Sequence, residues 1–351
     1  MAETPNIAIH SRRYLGAKTR MLDFLEEVIT AASGEFTTFW DAFAGTGVVA
    51  HRFQALGKTV TASDLLLCNA TTLRAFLGSR TLPDRRIVEL LHELESVDAD
   101  GTGADYFVEH FGGTFFDTHV ARQIGAARDY IAAWAVEQRI DVTTHQVLLA
   151  SLLYATDRAA NTCGHFDAYC KTAPKVRELR LLVPEAPRVG AVPARVFLRD
   201  ANVLAQGIVS ADVVYCDLPY NSRQYSDGYH LLENLARWTC GPVEGKAGKL
   251  VDRKNGKSAY CSRVKAAAAL QDFVSRVRCK HLFLSYSNMG DKGDPRSNAC
   301  IADEDIWRIL QSRGGVTVHE RAFPHFSAGK REIEGHSERV FHCRITTAPG
   351  A

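Results

Sequence analysis

The stretch Val213-Val-Tyr-Cys-Asp-Leu-Pro-Tyr220 ends an apolar run in an acid, a proline and an aromatic ring. Asp217 is a hydrogen-bond acceptor, and Pro219 stiffens the turn and brings no N–H of its own. Tyr220 offers a face on which a planar ring can stack. Such a set suits an exocyclic amine on a base. A carboxylate and a backbone carbonyl (of Leu218 or Pro219) accept the two N–H bonds and localise the nitrogen lone pair for attack on a methyl group. Taken alone, the quartet is equally a strand-end turn with a capping Asp.

A second constellation lies far upstream. Asp41-Ala-Phe-Ala-Gly-Thr-Gly47 follows a strand-like run and precedes a helical one. Gly45 and Gly47, around Thr46, let the backbone approach a ligand at a helix N-terminus. Asp64 and Leu65 close the next short strand, where the hydroxyls of a ribose lie in nucleotide folds. Position 50 is Ala, so the third glycine of the dinucleotide fingerprint is absent. Asp41 opposes a pyrophosphate and suits a cationic sulfonium and amine, which favours S-adenosylmethionine over NAD.

Positioning these groups takes alternating elements. Residues 19–33 space Leu22, Leu25, Val28 and Ile29 for a helix, with Thr19 as the expected N-cap. Residues 36–57 read as strand, Gly turn and helix, and 58–66 as a second strand. Strand signals return at 194–201, 211–220, 279–288 and 314–323, and 338–346 reads as an antiparallel edge. The expected fold class is α/β: a Rossmann-like, mostly parallel sheet interrupted by a mostly helical insertion. Residues 1–67 and 190–351 would form the catalytic domain, and 68–189 the insertion. Basic residues (among them Lys171 and Lys175) and aromatics interleave along the insertion. The Gly/Lys-rich 241–260 reads as a mobile loop.

Composition sets the outer bounds. The 351 residues are 46% hydrophobic and 23% charged, so a packed core is expected, and the net charge of +2 neither demands nor opposes a nucleic-acid partner. Nine scattered cysteines contain no Cys-x-x-Cys pair, which fits reduced thiols and a cytoplasmic setting rather than a disulfide framework or structural metal. Neither an apolar leader nor a membrane-length apolar run is apparent.

With these motifs in order, the sequence resembles the alpha group of restriction-modification type, adenine-specific DNA methyltransferases. Tyr14-Leu-Gly-Ala-Lys18 resembles the N-terminal donor motif, residues 41–47 the Gly loop, residues 63–66 the ribose acid, and residues 217–220 the catalytic turn. The resemblance implies that Tyr14, Gly16, Lys18, Asp41, Phe43, Gly45 and Gly47 line the methionine end of S-adenosylmethionine. Asp64 would hold the ribose, Asp200 and Ala201 the donor adenine, and Asp217, Leu218, Pro219 and Tyr220 the target base. A base inside duplex DNA must be flipped out to reach such a turn. Arg223, Gln224 and Tyr225 would then close over it, with Lys171 and Lys175 on phosphates and a cognate restriction endonuclease as partner. Leu218 stands where the family pattern has a first proline. The expectation is retained activity, and Pro at 218 should leave it equal or higher. Cytosine-N4 methylation and a non-catalytic DNA-binding relative are the alternatives.

Overall fold

The computed structural model describes residues 6–97, 105–174, 178–220, 222–252, 256–287, 300–322 and 337–346. Its centre is a seven-stranded sheet. In chain order the strands are β1 (Thr38–Asp41), β2 (Thr59–Asp64), β3 (Arg195–Leu198), β4 (Val213–Asp217), β5 (His281–Ser287), β6 (Gly314–Ala322) and β7 (Ser337–Ile345). Across the sheet they run β3-β2-β1-β4-β5-β7-β6. The first five are mutually parallel, while β7 is antiparallel to both β5 and β6. The chain winds outward in opposite directions from β1 and β4, so the carboxyl ends of those neighbours flank a topological switch point.

Helices cover both faces. α1 (Leu22–Ser33), α2 (Val48–Ala55) and α3 (Leu67–Leu77) serve one side. There Phe39, Val60, Tyr215, Phe283 and Val340 pack against Leu25, Ile29, Phe53 and Leu73. Thr19 is not the cap of α1: a 3-10 turn, Lys18–Met21, precedes the helix.

α4 (Asp84–Glu95), α5 (Asp105–Phe111), α6 (Thr118–Val136) and α7 (Val142–Ala159) build the helical layer between β2 and β3. Side-chain caps start the two long ones: Asp117 accepts from His119 N–H at 2.9 Å, and Asp141 from Thr144 N–H at 2.7 Å. α8 (Ala201–Ala205), α9 (Tyr225–Gly228), α10 (His230–Arg237), α11 (Ala266–Arg276) and α12 (Asp303–Gln311) follow. α8, α11 and α12 cover the second face over Trp40, Val214, Leu284 and Phe341.

The helical layer has its own apolar core of Phe107, Phe115, Ile124, Leu148 and Leu152, and this core also takes Leu231, Leu232 and Leu235 of α10. The helical unit therefore recruits a helix from beyond residue 189, which follows the 217–220 turn and α9. Residues 241–260 include a short antiparallel pair, Val243–Glu244 with Lys249–Leu250. Lys249 pairs with Asp167 at 2.7 Å, which ties that segment to the helical layer. Among the described residues no helix is long and apolar enough to cross a membrane, and no group of three or more His, Cys, Asp or Glu is placed to hold a metal ion.

Candidate active site

At the switch point a cleft holds about 880 Å³ of space, its open mouth included. The N-terminal segment lines it with Tyr14, Gly16 and Lys18, the Gly loop with Asp41, Phe43, Gly45 and Thr46, and the end of β2 with Asp64 and Leu65. Asp200, Ala201, Asp217, Pro219 and Tyr225 close the other side. Segments almost 200 residues apart in sequence thus meet at the carboxyl ends of β1, β2 and β4, where open α/β sheets hold their ligands.

The Gly loop is shaped by its backbone. Gly45 has φ +53° and a Cβ there would sit 3.1 Å from the Tyr14 ring, so the glycine lets the ring lie against the loop. Gly47 has φ +85°, and a Cβ there would come within 2.3 Å of Leu73. Gly47 is not among the residues lining the cleft; it starts α2 and clears space for the core. This differs from the expectation that both glycines face the ligand.

Three acids, Asp41 buried and Asp64 and Asp217 half-buried, converge on the cleft. Asp41 accepts from Ala50 N–H at 3.1 Å through Oδ2, while Oδ1 is buried with no hydrogen-bond partner among the described residues. Burial and the nearby Asp217 push its carboxyl up to about 8. Asp64 accepts from Gly45 N–H at 3.0 Å and from Leu66 N–H at 2.7 Å, and burial raises it to about 6. It therefore clamps the Gly loop to the start of α3, with a further lone pair on each oxygen for another donor. Asp217 is raised to about 6 by burial, offset in part by Lys18. Carboxyls raised by burial and gathered in one cleft make it a candidate functional site.

Lys18 is the cation of this group. Only 5% exposed, its ammonium lies 2.8 Å from Asp217 Oδ1, donates to Tyr220 Oη at 2.5 Å and reaches Gly16 O at 3.4 Å. Burial lowers its proton affinity, but Asp217 together with Tyr220, Glu338 and Tyr215 outweighs that and holds the ammonium charged. Tyr220 packs edge-on against Tyr286, with centroids 5.6 Å apart. Leu218 is 1% exposed and belongs to the core with Trp40, Cys216 and Leu284. The residue that departs from the family pattern is thus an anchor of the turn, its side chain turned away from the cleft.

Other sequence expectations fare unevenly. Asp200 caps α8, accepting from Asn202 N–H at 2.8 Å. Gln224 is engaged on both ends of its amide: Nε2 donates to Ser258 O at 3.0 Å and Oε1 accepts from Ser258 N–H at 2.8 Å. That pairing fastens the segment after the 217–220 turn to residues 256–261. Tyr225 stacks on Tyr14, centroids 5.4 Å apart, as a wall of the cleft. Arg223 and Lys171 are exposed, and Lys175 lies outside the described residues.

Several residues escaped sequence reasoning. Tyr229 stacks on Tyr14 at 4.5 Å and accepts from Leu15 N–H at 2.7 Å, which fixes the N-terminal motif. Glu233 accepts from Leu67 and Cys68 N–H at 3.0 and 2.9 Å, so α10 caps α3 just beyond Asp64. The aromatic spacing Tyr225/Tyr229 was a usable signal for the first; nothing local points to the second.

The comparisons with known proteins agree with this geometry. Residues 14–290 match the family described as D12 class N6 adenine-specific DNA methyltransferase. Modification methylase StsI of Streptococcus sanguinis is 30% identical over 312 residues, 85% of this chain and 46% of that protein. Type II methyltransferase M.NlaIII of Neisseria lactamica is 29% identical over 330 residues, 92% of this chain and 95% of its own length. Type II methyltransferase M.FokI of Planomicrobium okeanokoites is 29% identical over 318 residues, 86% of this chain and 47% of its own. The chain therefore spans about half the length of the StsI and FokI proteins and nearly all of the NlaIII protein.

Proposed function

The chain belongs to the D12 class N6 adenine-specific DNA methyltransferase family, and from that premise we propose that it moves the methyl group of S-adenosylmethionine to N6 of an adenine flipped out of duplex DNA. The observation that carries this reading is the convergence of Asp41, Asp64 and Asp217 on one cleft, with Lys18 set against Asp217. The residues fit the donor. Asp41 Oδ1, buried and unpartnered, meets the need of a cationic amine or sulfonium. Asp64, at the end of β2, keeps lone pairs for ribose hydroxyls, and Asp200 and Ala201 flank the place of the donor adenine. When bound, the donor supplies an electrophilic methyl on a positively charged sulfur.

The protein's share of the chemistry is positioning and electrostatics. Asp217, raised only to about 6, is mostly ionised at neutral pH and accepts one N–H of the target amine. A carbonyl of the Leu218–Pro219 turn accepts the other, which turns the nitrogen lone pair toward the methyl. Tyr220 stacks on the base, held by Lys18 and Tyr286. Leu218 anchors this turn from the core, which supports a catalytic protein over a purely DNA-binding relative. The family description favours adenine N6 over cytosine N4.

The helical layer and residues 241–260 are the proposed grip on the duplex, with Lys171 and Lys175 on phosphates and Arg223 near the flipped base. The relatives' names, modification methylase and Type II methyltransferase, support a place in a cytoplasmic restriction-modification pair with a cognate endonuclease. Calorimetry tests the donor assignment: saturable binding of S-adenosylmethionine, weakened by Asp41→Asn, is expected, and tight NAD binding without S-adenosylmethionine binding would sink it.

A further inference from the structure

Glu338, on β7, is an acid that no motif contains and whose charge acts on Asp217, Lys18 and Tyr220. The register places it. Asp217 on β4 stands opposite Ser285 on β5, and Ser285 stands opposite Val340 on β7. Tyr215 Oη and Ser285 Oγ meet at 2.8 Å, so these strands present Tyr215, Asp217 and Ser285 to one face. Val340 packs with Tyr215 and Phe283 on that face. Glu338 lies two residues before Val340, and strand side chains alternate with period two, so it shares the face. Because β7 is antiparallel, the step from Val340 to Glu338 leads toward the carboxyl ends of β4 and β5, where Lys18 covers the sheet. Arg339 points the other way, to Asp303 at 2.8 Å.

Glu338 has a buried oxygen, Oε2, with no hydrogen-bond partner among the described residues. An unpartnered buried carboxylate oxygen is costly and calls for a donor. Lys18 is a cation on this face, and its ammonium pairs with Asp217 and donates to Tyr220 Oη and Gly16 O. The target amine must bring its own hydrogens to Asp217 and competes there with the ammonium. Resting on the function proposed above, we propose that Glu338 is the second counter-ion of Lys18: it draws the ammonium from Asp217 as the target amine arrives, freeing the catalytic carboxylate. Glu338 is thus a positioning residue acting through Lys18.

The electrostatics agree. The charge of Glu338 raises Asp217, Lys18 and Tyr220 alike. The groups that face Asp217 among the described residues are Lys18 from the N-terminal segment, Asp41 from β1, Tyr215 and Tyr220 from its own strand and turn, Tyr225 from α9 and Glu338 from β7.

The test is Glu338→Gln in the full chain, with labelled S-adenosylmethionine and total DNA from a methylation-free host. The expected result is a kcat lower by about tenfold with donor Kd within about twofold. The acid limb of the pH profile should move to lower pH, because a charge that raised Asp217 has gone. Glu338→Asp keeps the charge and loses reach, so its acid limb should stay at the wild-type pH while kcat falls; this variant decides the matter if Glu338→Gln fails to fold. Wild-type kcat and acid limb in the variants, or loss of donor affinity in step with kcat, would overturn the proposal. If the wild-type chain forms N6-methyladenine and the variants match it, this proposal alone falls; if the wild-type chain forms none, the proposed function falls and this with it.

Discussion

The two edges of the central sheet treat their carboxylates in opposite ways. At the amino-terminal edge Asp212 accepts from Thr37 N–H at 3.0 Å and Thr38 N–H at 2.9 Å and pairs with Lys280 at 2.8 Å. The Lys280 bond, the Thr38 N–H and their companions hold it well below the usual carboxylate range. At the carboxyl-terminal edge burial raises Asp41, Asp64 and Asp217 to about 8, 6 and 6. The first acid ties β1, β4 and β5 together and stabilises the fold. The other three are held at a cost to stability, which is the signature of groups kept for ligands.

This contrast can be broken in graded ways. Asp217→Ala should lower methyl transfer by about 10³-fold or more while leaving donor binding nearly unchanged; relief of the cost of burying its charge offsets the loss of the Lys18 pair, so the melting temperature should fall less than in Asp212→Ala. Equal loss of melting temperature would erase the distinction between the edges. Asp212→Ala should do the reverse and cost roughly 2 kcal/mol of stability above pH 5 by denaturant titration, with transfer per folded molecule unaltered. The sign follows from its depressed value: the contribution is present above the unfolded value near 4 and fades as pH falls below it.

Asp41 gives a smaller, pH-dependent signal. Raised to about 8, its carboxyl is mostly protonated at pH 6 and gains charge toward pH 8. A cationic donor binds the carboxylate, so donor affinity should rise roughly tenfold between pH 6 and 8 in wild type. Asp41→Asn should bind more weakly and lose most of that slope. It should also melt higher at pH 8: the native group retains a proton that the unfolded chain releases near pH 4, so this acid lowers stability as pH rises between the two values. Calorimetry and thermal melts across the pH range check both. The smallest effect belongs to Leu218→Pro. The sequence led us to expect equal or higher activity, but the side chain is 1% exposed in the core. Stability should fall by about 1–2 kcal/mol in a urea titration, with little change in kcat.

The carboxyl-terminal edge was legible because each acid stands beside a local marker. Asp41 precedes the Gly turn, Asp64 ends a short strand, and Asp217 precedes Pro219. Turn chemistry and strand endings are read within a few residues. Asp212 and Glu338 carry no such marker, since one is defined by backbone amides 175 residues away and the other by strand register. The boundary of the helical layer blurs for a similar reason. An amphipathic pattern shows that α10 has an apolar face, but not that this face joins Phe115 and Leu148. The pairing of Gln224 with Ser258 is equally hidden, because the two residues are 34 positions apart.

The central claim is transfer to adenine N6 at the Asp217 side of the cleft. It is tested most directly by expressing the chain and its Asp217→Ala variant in a methylation-free host and measuring modified nucleosides by mass spectrometry. The account predicts N6-methyldeoxyadenosine with the wild-type chain and none with the variant. N4-methyldeoxycytidine in its place, no modified base from the folded wild type, or undiminished N6 methylation with Asp217→Ala would contradict it.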